Sequence, residues 1–153
     1  MKTPIALTAI FLAVVACSPA EPFEARHDNG NVKETGFLRD TVRTDLWAFY
    51  DEQGRLDSTG TYKNGKRHGD WSYYYDHGFL RSKGKFKKGK RSGHWTYYHS
   101  NGALNFEGTY VDGLKDGEIT YYHDNDSVSD IGFYSVRKDT GYVKKFDRFA
   151  AGL

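Results

Sequence analysis

The chain has 153 residues, and beyond residue 22 it contains no proline, no methionine and no cysteine. Its prolines are Pro4, Pro19 and Pro22, its methionine is Met1 and its cysteine is Cys17. A disulfide framework, a cysteine zinc site and a thiol nucleophile are therefore excluded from the folded part. Aliphatic residues are scarce too: after residue 22 there are 15 Leu, Ile and Val against 24 Phe, Tyr and Trp. A core of this composition has to be built from rings, with glycine between them. An excess of one charge is also lacking. Once Lys2 leaves with a leader, 21 basic residues face 20 acidic ones. Bulk charge gives no support to a nucleic-acid partner. The length allows one domain.

Residues 1–17 read MKTPIALTAIFLAVVAC. Lys2 precedes an uncharged run from Pro4 to Ala16. That run falls short of the roughly 20 residues of a bilayer span and fits a secretory leader. Val14-Val15-Ala16-Cys17 resembles the lipobox of bacterial lipoproteins. The resemblance implies that residues 1–16 are cut off as a signal peptide. It implies also that the Cys17 thiol carries a diacylglyceryl group and that the new amine is acylated. Each buried acyl CH₂ contributes about 0.8 kcal/mol, so one chain holds marginally and three hold durably. Ser18, in place of a retaining Asp, resembles the outer-membrane class. The expected location is the cell envelope, at the outer membrane. Residues 17–29 carry two prolines and several charges, and are expected to form the lipidated N-terminus and a tether.

The rest of the chain repeats itself at a fixed interval. Trp47, Trp71 and Trp95 set that interval, and Ile119 takes the next place. Tyr50, Tyr74, Tyr98 and Tyr122 form a second register, and Gly60, Gly84, Gly108 and Gly132 a third. Leu56, Leu80 and Leu104 lead to Val128, and Gly69, Gly93 and Gly117 lead to Gly141. Four full units (47–70, 71–94, 95–118 and 119–142) sit between half units at both ends, so the repeat domain is expected over 30–153. Aromatic and Thr content with Gly-centred turns predicts two strands per unit. Strand A runs from Trp71 to Tyr75 in the second unit, and strand B from Leu80 to Phe86. Asp51-Glu52-Gln53-Gly54 and Lys63-Asn64-Gly65 are the two kinds of turn. Glycine recurs too often for a helix, and no 3.6-residue apolar stripe exists.

Period two places Leu80, Ser82, Gly84 and Phe86 on one side of strand B, and Trp71, Tyr73 and Tyr75 on one side of strand A. The bare glycine in strand B is expected to leave a groove that a ring from the neighbouring strand fills. The predicted architecture is all-β. It is an elongated antiparallel ribbon of hairpins with about ten strands, in which each unit touches its neighbours.

The run Tyr62-Lys63-Asn64-Gly65-Lys66-Arg67-His68-Gly69 resembles the core of the MORN repeat, and Phe86 to Gly93 and Tyr110 to Gly117 repeat it. The 24-residue period and the Trp in strand A resemble more closely the bacterial YwqK-type variant. The resemblance covers about residues 30–150. It implies a hairpin ribbon; from the residues themselves neither catalysis nor a cofactor is expected. It also implies antitoxin-type proteins as relatives, and eukaryotic scaffolds with suspected lipid contact. A leader and lipobox fit poorly with a cytosolic antitoxin.

Candidate chemistry is sparse. His27, His68, His77, His94, His99 and His123 show no HExxH and no Cys/His spacing, and His99 and His123 are expected roughly 10 Å apart, too far for one zinc. Asp124-Asn125-Asp126 lacks the glycine and distal Glu of a calcium loop. No GxSxG elbow and no P-loop occurs. No metal site and no catalytic residue is expected. Lys63, Lys66, Arg67, Lys87, Lys88, Lys90 and Arg91 are expected along the turn edge between strands B and A, with Asp51, Glu52, Asp76, Asp124 and Asp126 on the opposite edge. Such an edge fits anionic headgroups, glycan phosphates or an acidic protein, and equally a solvated rim that keeps the sheet soluble. Tyr73, Tyr75, Tyr97 and Tyr121 are placed either to stack on a sugar or peptide or to cover the sheet. The expected function is a lipid-anchored envelope scaffold with an unidentified protein partner. The alternatives are lipid or glycan binding, and inhibition of a toxin.

Overall fold

The computed structural model describes residues 18–136 and the backbone of 143–147. Cys17, Gly141 and the leader lie outside the described residues. The fold is all-β. Its strands are β1 (Glu21–Arg26), β2 (Val32–Arg39), β3 (Val42–Tyr50), β4 (Leu56–Lys63), β5 (Lys66–Tyr74), β6 (Leu80–Lys87), β7 (Lys90–Tyr98), β8 (Leu104–Val111), β9 (Leu114–Tyr122), β10 (Val128–Val136) and β11 (Val143–Asp147). They form one open antiparallel sheet in strict chain order. Odd strands are the A strands of the repeat and even strands the B strands.

One strand falls where the sequence led us to expect a tether. Residues 21–26 are β1, which pairs with β2 from Glu21↔Leu38 to Arg26↔Val32. The reason is Phe23, which stands one repeat unit before Trp47 and packs against it at 5.7 Å between ring centroids. Pro22 is tolerated because β1 is an edge strand, where a missing N–H breaks no ladder.

The two edges use different turns. Between B and A strands the loops have two residues, both left-handed: Asn64 and Gly65 have φ of 52° and 71°, and Lys88 and Gly89 have 52° and 87°. This is the type I′ hairpin, whose twist matches that of the strands. The A strands therefore begin earlier than expected, at Lys66 rather than Trp71 in β5. Between A and B strands five residues close each turn, as where the Tyr75 amide donates to the Phe79 carbonyl and the Gly78 amide to the Tyr75 carbonyl. Turns of successive units are also tied together. The Gly65, Gly89 and Gly113 amides donate to the carbonyls of Arg43, Arg67 and Arg91, one unit back.

The core is a row of rings on one face of the sheet. Trp47, Trp71, Trp95 and Ile119 are almost wholly buried, with Phe86 and Tyr110 beside them. Trp71 is paired with Gly60 on one side and with Gly84 on the other. Its indole lies on Gly60; the atoms nearest a β-carbon at Gly84 are those of Trp95. Neighbouring rings meet edge-on, with Phe86 against Trp95 at 5.1 Å and 90°. The preferred geometry of aromatic quadrupoles is met along the row. Each indole N–H is satisfied by a carbonyl: Trp71 donates to Thr61 and Trp95 to Lys85, both at 3.0 Å. These carbonyls sit at register shifts, Gly60/Thr61 and Gly84/Lys85, where the bulged A strand leaves the ladder. Gly69 and Gly93, at φ of 66° and 70°, make those bulges.

Candidate functional site

The B-to-A turn edge collects positive charge. Lys63, Lys66, Lys87, Lys88 and Lys90 fall in two adjacent hairpin turns and are all exposed. No acidic residue interrupts them; Asp40 and Asp112 lie in the turns before and after. None of the five lysines forms an ion pair among the described residues. The two turns stand two strand spacings apart, about 10 Å, so their charges add where the roughly 8 Å Debye length of physiological salt only partly screens them.

Two of the seven expected contact residues do not belong to this rim. The Arg67 guanidinium lies 4.3 Å from the Phe86 ring centroid and 5.7 Å from that of Trp71. Its Nη1 donates to the Tyr73 hydroxyl at 2.9 Å. Arg91 lies 5.0 Å from Trp95 and 5.7 Å from Tyr110, with its Nε buried and without a hydrogen-bond partner. The cause is the two-residue turn. It starts the A strand at Lys66 and Lys90, so the next residue points onto the ring face. Arg43 sits likewise over Trp47 at 4.4 Å, and Lys115 over Phe106 at 4.6 Å. A ladder of cations thus recurs once per unit, at Arg43, Arg67, Arg91 and Lys115, roofing the core. The interval was legible in the sequence; its orientation was not.

The tyrosines with two expected roles act as cover. Tyr97 stacks on Phe106 at 4.0 Å and 13°, and Tyr121 packs on the same ring at 5.5 Å. Tyr73 lies 5.9 Å from Trp71. The Tyr75 hydroxyl donates to the Tyr98 carbonyl at 2.8 Å. Burial raises the phenol pKa of both Tyr73 and Tyr110, which keeps those hydroxyls neutral.

The opposite edge is acidic and tightly hydrogen-bonded. Asp51 accepts from the amides of Arg55 and Gln53 and from the Arg55 guanidinium, and the Arg55 amide leads in holding its carboxyl below the ordinary value. Asp126 accepts from the Leu104 amide. The histidines here bridge units: the Nε2 atoms of His27, His77 and His99 lie 2.7–3.2 Å from the carbonyls of Tyr50, Ser100 and Tyr122. Asp76 is lowered and His77 raised, each chiefly through the hydrogen bond between them. Among the described residues no three His, Cys, Asp or Glu gather as metal ligands.

Fold and edges together define an all-β repeat ribbon with one basic rim, one acidic rim and a ring face covered by its own cations. Residues 67–88 and 91–112 match the family model described as a MORN repeat variant. Each matched segment runs from a roofing arginine, through its tryptophan, into the following B strand. No curated protein matches the chain.

Proposed function

We propose that the protein is a non-enzymatic scaffold of the bacterial envelope, anchored through lipids on Cys17, that holds an acidic protein partner along its basic rim. The observation that carries this reading is the cluster of five exposed, unpaired lysines in two adjacent turns. The ring face, by contrast, is occupied by its own arginines and tyrosines. Complementary charge of this kind sets association rate and partner choice more than raw affinity.

A second reading, anionic lipid or glycan phosphate on the same rim, is favoured by the chemistry of lysine, a compact point charge suited to phosphate. The two are separated by crosslinking and co-purification of the native acylated protein from envelope membranes at low and high salt. A stoichiometric acidic protein that is lost at high salt, and lost from a variant carrying Lys87→Glu, Lys88→Glu and Lys90→Glu, is the expected result. Recovery of anionic lipid alone, abolished by the same variant, favours the second reading. Capture that ignores both salt and charge reversal sinks both. An antitoxin-type role would require the captured protein to be a toxin whose activity the ribbon inhibits.

A further inference from the structure

Ser18, Pro19 and Ala20 are the only residues between Cys17 and the start of β1 at Glu21. Four Cα–Cα steps reach at most about 14 Å. Whatever holds Cys17 therefore holds the first hairpins close by. The surface at that end differs from the rest of the ribbon. On the face opposite the tryptophans a tyrosine row recurs at Tyr50, Tyr74, Tyr98 and Tyr122, and two rows further from the A-to-B turns are polar in the central units. One row holds Asp70, His94 and Glu118, and another holds Thr61, Lys85 and Thr109. In the first row the N-terminal unit has Pro22 and Leu46 instead, and in the second it has Phe37. Leu46 is 57% exposed and Phe37 40%. With Pro22 and Ala48 they line one shallow groove of about 450 Å³, whose polar side is Glu24 and Thr35. The Phe37 place becomes aromatic again only at Phe133, half-buried in β10 between β9 and β11.

Exposed apolar residues at places that are elsewhere polar call for a cover. The leash names it. We propose that this patch rests in the headgroup–acyl boundary of the bilayer that carries the Cys17 lipids, so that the ribbon docks on the membrane by its first hairpins. The leash bounds the distance from the acyl chains to Glu21, beside Pro22 of the patch, so the bilayer is the surface the patch is held next to. Docking adds buried apolar area to the acyl chains, the combination that makes a peripheral attachment durable. It also fixes the ribbon's angle, and with it the height of the basic rim above the surface. The proposal rests on the reading of Cys17 as acylated.

The test uses full-length acylated protein in phosphatidylcholine vesicles. The chain has a single cysteine, blocked when lipidated, so a thiol introduced as Leu46→Cys can be labelled alone with an environment-sensitive fluorophore. Phe37→Cys is a second probe of the patch. His94→Cys, two units further along the Leu46 row, is the control. Nitroxide-bearing lipid should quench the labels at 46 and 37 several-fold more strongly than the label at 94. Equal, weak quenching at all three positions overturns the docking. A mass spectrum of the Cys17 peptide from the same sample separates the causes. An acylated Cys17 with equal quenching defeats the docking and leaves the anchor standing; an unmodified Cys17 overturns both.

Discussion

The indole of Trp71 lies so close over Gly60 that a β-carbon there would stand 2.2 Å from its Cδ2. Trp47 over Gly36 and Trp95 over Gly84 repeat the relationship, and Ile119 over Gly108 preserves it after the indole is lost. The ring must therefore move if the glycine gains a methyl group. Gly84→Ala is expected to destabilise the protein by about 1–3 kcal/mol, the usual cost of overpacking. Gly78→Ala, in a turn with nothing within 4 Å, meets only backbone strain at φ 87° and should cost about 1 kcal/mol. Urea unfolding of the two variants, with Trp fluorescence as the probe, checks the order. An unperturbed Gly84→Ala would show that the ring does not seat as described.

The basic residues should divide into two kinds. Arg91→Ala removes the cover over Trp95 and Tyr110 and is expected to cost about 1–2 kcal/mol, largely independent of salt. Lys87→Ala, on the exposed rim, should stay within about 0.5 kcal/mol of the parent. Arg91→Lys should not fully restore stability, because an ammonium cannot lie flat on a ring as a guanidinium does. Thermal melts at low and high salt distinguish the two kinds.

The turn at Lys88 carries a left-handed lysine at φ 52° where the preceding unit has Asn64. Lys88→Asn completes an Asn-Gly type I′ turn and should stabilise by a few tenths to about 1 kcal/mol despite removing a charge. Chemical denaturation reads the gain. A loss would mean that the charge of Lys88 matters to the folded state.

His77 should titrate above its ordinary 6.5, because the Asp76 carboxylate and the Ser100 carbonyl favour the imidazolium. Its contribution to stability is then fully present below the unfolded-state pKa and lost as pH rises through the folded-state value. NMR titration of the ring protons gives the midpoint. Asp76→Asn should lower it, and an unchanged midpoint would remove the assigned cause.

Excision of residues 71–94 joins Asp70 to Trp95 without breaking the register of the repeat. The shortened chain should keep its β-sheet circular dichroism and melt lower, since array stability is roughly a sum over units and their interfaces. Loss of all structure would contradict nearest-neighbour assembly.

The sequence by itself determined the strand order, the period, and the partnership of ring and glycine. All three are consequences of local pattern: alternation along a strand, left-handed positions that favour Gly or Asn, and a constant spacing that repeats every contact from unit to unit. Other features were decided only by the tertiary structure. Register alone sets Trp71 beside both Gly60 and Gly84, and the side chain's own direction settles it on the first. Composition placed Arg67 and Arg91 among the lysines of the rim. A two-residue turn swings them onto the rings, where desolvation and the quadrupole hold them. Pro22 and the charges around it read as tether. Phe23 makes them a strand because its ring closes the N-terminal side of Trp47, whose other side already packs on Phe49 and Tyr62, and that open side is visible only once the sheet has formed.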